Sequence, residues 1–351
     1  MPSLIKTIAD ELNTSTASVS RALNDQPGVS ETLRTRILQR AAELNYTPNA
    51  AARGLAKAQA FAVGFFVRQK PDLSAYTDPF YGEILHGAEK ALAQSEYHLS
   101  VANLTDDILN NPKQFRFVRE RRVDAMILAG PDIPSDFVIS MIQSGLPVVL
   151  VDNLLEYSAA HAINGDDEGG AYLAARHLLA LGHTHIGLLS GPLAWPSNRR
   201  RVQGYQRAIT GAGLSLTVVY AEQTTIDSGQ KSFQQIIESG PNLTAIGAVN
   251  DSMALGAIRA AQGAGLQVPN DISVIGFDNI AWASLNNPPL TTLDVPKQQL
   301  GIEAAHRLLS LLTETENPPL TTQLTIAVRL IERASTAAPR SHDHTKNHNR
   351  Q

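Results

Sequence analysis

Cysteine is absent from all 351 residues, which excludes disulfides, thiol nucleophiles and cysteine-type zinc sites. Net basicity is missing as well. The formal charge is -4, so any affinity for nucleic acid must come from a local surface. No apolar run reaches the roughly 18 residues of a membrane-spanning helix. The opening Met1-Pro2-Ser3-Leu4-Ile5-Lys6 lacks the basic stretch and apolar core of a signal peptide. Neither a Ser/His/Asp elbow nor a catalytic pair of carboxylates stands out, so no enzyme is expected and no cofactor is implied. With 43% hydrophobic residues, the composition predicts a soluble globular protein of the cytoplasm with no membrane partner.

The chain is too long for one ordinary core, and two or three compact units are expected. Ile5, Ile8, Ala9 and Leu12 give a first helix one apolar face. Asn13 ends it, because Asn tolerates the left-handed backbone of a tight turn. Ser15 caps a second helix with an apolar side of Val19, Ala22 and Leu23, leaving Thr16, Ala17, Ser18, Ser20 and Arg21 outward or nearly so. Two helices joined by so short a turn read as helix-turn-helix. Pro27-Gly28 breaks the chain, Ser30 caps a third helix, and Leu33, Ile37, Ala41 and Leu44 form its buried stripe. Residues 1–60 carry seven basic groups against five acidic ones, a local excess of +2, which is a small footprint for phosphate contacts and favours a dimer.

Residues 47–58 differ in kind. Pro48 starts the segment, Asn49 can cap it, and Ala50–Ala58 contains Gly54. A helix of about nine residues is marginal in water, and an interior Gly costs roughly 1 kcal/mol against Ala, so it should be helical only when something holds it. Beyond Phe61, apolar strand candidates recur at Ala62–Val67, Leu99–Ala102, Ala125–Leu128, Val148–Val151, Ile186–Leu189, Ala245–Val249 and Ile272–Phe277. Helical stretches separate them, including Ile84–Leu92, Gly170–Leu181, Tyr205–Ala212, Met253–Ala261 and Leu300–Leu312. This alternation specifies parallel sheets covered by helices on both faces. Its length favours two doubly wound lobes with a crevice at the facing strand C-termini. The predicted organisation is therefore a helix-turn-helix unit (1–46), a hinge (47–60), a bilobal unit (61–335) and a disordered polar tail (336–351).

Several motifs then carry a resemblance. They are Ile5-Lys6-Thr7-Ile8-Ala9, Ser15 through Asn24, Val29-Ser30, Ala42 through Asn49 and Ala52-Arg53-Gly54-Leu55. Further along stand Asp78-Pro79-Phe80-Tyr81, Arg201-Val202-Gln203-Gly204-Tyr205, Asn250 through Gly256, Ser273 through Asn279 and Pro289-Leu290-Thr291-Thr292. In combination they are specific, and the chain to about Arg333 resembles the lactose-repressor (LacI/GalR) family of bacterial transcription regulators. Departures include Asn13-Thr14 for the usual Gly-Val turn, with Thr7 and Asp10 where the family more often has an acid and a base.

The resemblance implies that Thr16 and Ala17 open a recognition helix facing base edges, while Ser15, Ser20, Arg21 and Asn24 contact phosphate or bases. It extends the DNA-binding set to Tyr46 and to Asn49, Ala52 and Leu55 of the hinge. Ala17 can offer only apolar contact, and Arg21 fits either a bidentate contact to guanine or a phosphate clamp. Leu55 is read as a minor-groove wedge at the operator centre; the plainer alternative is a linker residue packed on the next domain. Effector residues implied are Phe80, Asp152, Arg201, Asn250 and Asp278. Tyr81, Trp195 and Trp282 are further candidates for the aromatic face a sugar ring needs, with core packing as the alternative for each. For Arg201 and Asp278 the alternative is an interlobe salt bridge. His183-Thr184-His185 and His342-Asp343-His344 have metal-like spacing, but a loop before a strand and a solvated tail explain them better. The whole is expected to be a nucleoid-associated, ligand-responsive repressor that binds a palindromic operator as a homodimer or higher assembly. A sugar or sugar phosphate is the expected effector and a nucleobase the alternative. A solute-binding protein of the sugar-transport type is the competing reading, and a signal peptide would distinguish it.

Overall fold

A computed structural model describes residues 4–46, 59–70, 73–155, 160–239, 242–313 and 320–340. The hinge assignments Asn49, Ala52 and Leu55 lie outside these residues. The chain divides into two units, residues 1–61 with 121–123 and residues 62–120 with 124–351.

The first unit holds α1 (Leu4–Glu11), α2 (Thr16–Leu23) and α3 (Glu31–Glu43). Asn13 adopts φ 51°, the left-handed turn that its side chain tolerates. Ser15 Oγ accepts from Ser18 N at 3.0 Å and Ser30 Oγ from Leu33 N at 3.4 Å, so each hydroxyl satisfies an amide that a helix start leaves unpaired. Ile8, Ala9, Val19, Ala22, Ile37 and Ala41 form a core to which all three helices contribute. Arg34 pins the α2–α3 connection by donating to the Gln26 carbonyl at 2.7 Å and pairing with Asp25 at 2.9 Å.

The second unit contains two parallel sheets. The first has the order β11-β5-β4-β3-β1-β2, built from β1 (Ala62–Arg68), β2 (His98–Leu104), β3 (Ala125–Ala129), β4 (Val148–Val151), β5 (His161–Gly165) and β11 (Gln323–Ile326). The second has the order β7-β6-β8-β9, from β6 (Ile186–Ser190), β7 (Thr217–Tyr220), β8 (Ala245–Ala248) and β9 (Ser273–Ile275). An antiparallel pair, β10 (Thr292–Asp294) and β12 (Arg329–Ile331), joins this sheet through single bridges Ile275–Thr291 and Asp278–Asp294. Strands β3 and β4 are buried throughout, the continuous apolar signature of a sheet covered on both faces.

The principal covering helices are α4 (Tyr81–Leu92), α5 (Ser135–Gln143), α6 (Asp167–Ala180), α7 (Pro196–Gly211), α8 (Ile226–Ser239), α9 (Asp251–Gly263), the short α10 (Ala281–Leu285) and α11 (Lys297–Thr313). The chain crosses between the sheets three times, after β5, β10 and β11. Helices α4 and α11 pack backbone to backbone: a Cβ on Gly301 would overlap the Ile84 carbonyl, and one on Gly87 would overlap that of Gln298. Only glycine admits so close a crossing.

Two expectations are corrected. The polar end of the chain is ordered further than residue 335. Ser335 Oγ donates to the Val274 carbonyl, Thr336 Oγ1 meets His177 at 3.0 Å, and the Ala337 carbonyl is 2.9 Å from His183 Nε2. Residues 336–340 are thus docked on the second lobe through hydrogen bonds. Helix α7 also begins well before Tyr205, at Pro196, whose fixed φ and missing N–H suit a first helical position.

Candidate functional site

In the first unit, Ser15, Thr16, Ala17 and Arg21 are exposed, and Ser20 is half-buried. Among the described residues Arg21 has no ion pair, whereas Arg40 is held by Glu11 and Glu43 and Arg34 by Asp25. Helix α2 therefore presents small polar side chains and an unengaged guanidinium to solvent. Asn24 behaves differently: its Nδ2 turns back to the Ser20 carbonyl at 2.8 Å and its backbone caps α2. Tyr46 packs against the three-helix core.

In the second unit, the sheet C-termini bring together most of the expected polar residues. Asp152 follows β4, Asn250 follows β8 and Asp278 follows β9. Asp152 (φ 52°), Asp278 (φ 114°) and Asn279 (φ 52°) sit in the left-handed region, which non-glycine residues avoid unless the surroundings enforce it. Such strain concentrates where a side chain must be aimed.

Tyr81 starts α4 and donates its hydroxyl to Asp152 Oδ2 at 2.8 Å. Phe80 stands edge-on to the Tyr81 ring, with centroids 5.2 Å apart. Asp78 Oδ1 accepts from the Phe80 and Tyr81 amides at 2.9 and 3.1 Å, which fixes both aromatics at the helix start. Arg201 is buried on α7. It donates through Nε to Asp167 Oδ1 at 2.8 Å, and through Nη1 to the Val249 carbonyl at 2.5 Å and Asp278 Oδ1 at 3.2 Å. Its guanidinium stacks over Phe277 at 3.8 Å. Asn250 caps α9 by accepting from Met253 N at 2.9 Å and donates to the Thr224 carbonyl at 3.0 Å.

The Arg201–Asp278 pair is thus real but lies within the second lobe, because α7 and the β9 end belong to the same sheet layer. This corrects the interlobe alternative. Trp195 is half-buried at the start of α7, whereas Trp282 on α10 is 41% exposed and has no ring contact among the described residues.

Burial and then the nearby Asp167 charge push the Asp152 carboxyl up to about 8, while Arg201 pulls the other way. Burial likewise raises Asp278 to about 7, partly offset by Arg201. Burial and then Asp152 raise the Tyr81 hydroxyl well above its ordinary range, so it remains a donor. For Arg201 burial disfavours the charge, but Asp167 and Asp278 more than offset it and raise its pKa.

Three participants escape sequence reasoning. Asp167, the main partner of Arg201, lies at the true start of α6, three residues before the periodic stretch begins. Buried Asp251 accepts from Thr292 Oγ1 and Ile280 N, holding the β9 end to β10. Lys297 Nζ donates to the carbonyls of Asp278, Asn279 and Val295, tying the strained turn to α11. The signal for Asp167 was the run Asp166-Asp167-Glu168, an acidic first turn. His183, by contrast, engages both ring nitrogens with Thr244 and with Ser273 and Ala337.

A three-helix head with an open second helix and a separate two-lobed unit with polar residues meeting at the strand C-termini define a class: ligand-binding proteins fused to a DNA reader. Residues 4–49 match the family described as bacterial regulatory proteins, lacI family, and residues 60–334 match periplasmic binding proteins and sugar binding domain of LacI family. The chain belongs to the LacI family of bacterial regulatory proteins and is a DNA-binding transcriptional repressor, not an enzyme. It is 33% identical over 319 residues to the HTH-type transcriptional repressor PurR of Aliivibrio fischeri (strain MJ11), covering 89% of this chain and 93% of that one. Among solved structures it is similar to the Lac repressor dimer bound to operator and the anti-inducer ONPF, with 28% identity, TM-score 0.78, and 94% and 98% of the two chains covered. It also resembles the transcriptional regulator CelR in complex with cellobiose, with 25% identity, TM-score 0.71, and 94% and 99% covered. The match of residues 4–49 sets aside a solute-binding protein without a DNA role.

Proposed function

We propose that this repressor acts in the cytoplasm on the nucleoid, binding a palindromic operator as a homodimer under the control of a sugar or sugar phosphate held at the Asp152–Arg201–Asp278 cluster. The observation that carries the reading is the pairing, in one chain, of an exposed α2 bearing an unengaged Arg21 with strained acidic residues at the strand C-termini. Ser15, Thr16, Ala17, Ser20, Arg21 and Asn24 are assigned to the DNA contact, with Tyr46 supporting the headpiece. Asn49, Ala52 and Leu55 are assigned to a hinge helix that folds on the minor groove. Phe80, Tyr81, Trp195, Asn250 and Trp282 complete the assigned effector set.

Two-fold symmetry in the protein demands two-fold symmetry in the operator. The effector acts through unequal affinity for two arrangements of the lobes, and the three crossovers are where that difference reaches the rest of the chain. The cellobiose complex of a similar regulator supports a sugar-like ligand. The test is retention of an operator duplex by the full chain with and without each member of a sugar panel. Leu55→Ala should weaken specific binding by a few kcal/mol while leaving sugar affinity intact. Undiminished operator affinity in that variant would remove the wedge assignment.

A further inference from the structure

We infer that the cleft selects an uncharged polyhydroxyl ligand, read through its hydroxyl donors, and rejects phosphorylated sugars. The inference rests on the proposal above that this cleft is the effector site, and it is carried by how the cations and helix starts of the cleft are already engaged.

A phosphate ester needs cations or free amides, and this cleft has few of either to offer. Arg201 is held by Asp167, Asp278 and the Val249 carbonyl. Lys70 pairs with Asp78 at 2.7 Å. The Lys297 ammonium is saturated by three backbone carbonyls. Arg68, at the end of β1, is bound to Asp106 at 2.8 Å and to the Asp132 carbonyl at 3.2 Å. Against Arg68, Arg201, Lys70 and Lys297 stand six carboxyls: Asp78, Asp106, Asp132, Asp152, Asp167 and Asp278. Three of them, Asp78, Asp132 and Asp152, act together on the Tyr81 hydroxyl.

Helix N-termini are the other common phosphate receptors, and α4, α6, α7 and α9 start beside the polar cluster. Three of the four starts are filled by the chain itself. Asp78 caps the α4 amides, Asp166 caps α6 ahead of Asp167 and Glu168 in its first turn, and Asn250 caps α9. The fourth, α7, has no side-chain cap. Pro196 removes one of its amides.

What the cleft offers is acceptors. Asp152, Asp167 and Asp278 each use one carboxylate oxygen in the bonds described, and the second oxygen has no hydrogen bond among the described residues. A carboxyl oxygen accepts and a sugar hydroxyl donates, so the two match; a phosphate dianion brings only acceptors and is repelled by whichever of these carboxyls is ionised. A cationic ligand would have to displace Arg201, which already occupies Asp167 and Asp278 at the centre of the cluster.

The test is calorimetric titration of the full chain with ribose, glucose, galactose and cellobiose, alongside ribose 5-phosphate, glucose 6-phosphate, glucosamine and inorganic phosphate. At least one neutral sugar should bind, with its phosphate ester weaker on the order of 100-fold or more. Asp152→Asn and Asp278→Asn, checked for intact folding by thermal melting, should each weaken that sugar more than about tenfold. The inference is overturned if an ester or glucosamine binds as tightly as its parent, if inorganic phosphate competes with the bound sugar, or if no neutral sugar binds. An ester that binds and alters operator retention defeats this inference while leaving the effector-cleft reading intact. A sugar that binds both aspartate variants undiminished defeats the cleft reading itself.

Discussion

Replacing Arg201 by methionine keeps much of the side-chain volume and removes the charge at the centre of the cleft. Arg201, Asp167 and Asp278 retain only 5%, 6% and 7% of their surface, so water cannot readily replace the guanidinium. Breaking a buried ion pair by removing one partner costs roughly 3–5 kcal/mol, because an uncompensated charge stays behind. The orphaned Val249 carbonyl adds a penalty of about 1–3 kcal/mol, which overlaps the first as the site relaxes. We expect Arg201→Met to lose about 4 kcal/mol. Urea unfolding followed by tryptophan fluorescence suits the measurement, since the only two tryptophans, Trp195 and Trp282, both lie in the affected lobe. Adding Asp167→Asn and Asp278→Asn to the same chain should recover at least half of the loss, since the two acids left without Arg201 are then replaced by neutral amides. A loss below about 1 kcal/mol for Arg201→Met, or no recovery in the triple variant, would refute the reasoning that this network is a buried, mutually compensated one.

Three other outcomes follow from the same structure. Asp152, Asp251 and Asp278 hold their protons in the folded state to about 8, 7 and 7, above their ordinary carboxyl range. Folding therefore takes up protons between about pH 4 and 8, and urea midpoints should fall as pH rises from 5.5 to 8.5, with Asp251→Asn flattening the slope. Gly301→Ala should destabilise by about 1–3 kcal/mol despite the better helix propensity of alanine, because its Cβ overlaps the Ile84 carbonyl; a gain in thermal stability contradicts the close crossing. Arg21→Ala separates the two roles open to that residue. A uniform loss across sequences with a salt slope lower by about 1 marks a phosphate clamp, and a base-specific loss of about 1–3 kcal/mol marks guanine readout.

Much of this arrangement is legible from residue order because it rests on local rules. Ser15 and Ser30 cap helices and Asn13 turns left-handed for reasons that need no tertiary partner. Asp152, Asn250 and Asp278 are found because a polar residue closing an apolar strand marks the ligand edge of a doubly wound sheet. What was hidden depends on distant segments. Strand β11 alternates exposed and half-buried residues at a sheet edge, so it offers no apolar run to detect. Residues 335–337 look like polar tail, yet their partners His177, His183 and Ser273 stand far away in sequence. Asp167 escapes a sequence reading because helical periodicity locates the apolar face of α6, not its acidic first turn.

The central claim, that an exposed α2 and a paired hinge read a symmetric site, is tested most directly by selecting duplexes from a randomised library with the full chain and sequencing those retained. The account predicts enrichment of one palindromic motif whose half-sites are related by two-fold symmetry. Retention without sequence preference, or a motif lacking that symmetry, would contradict it.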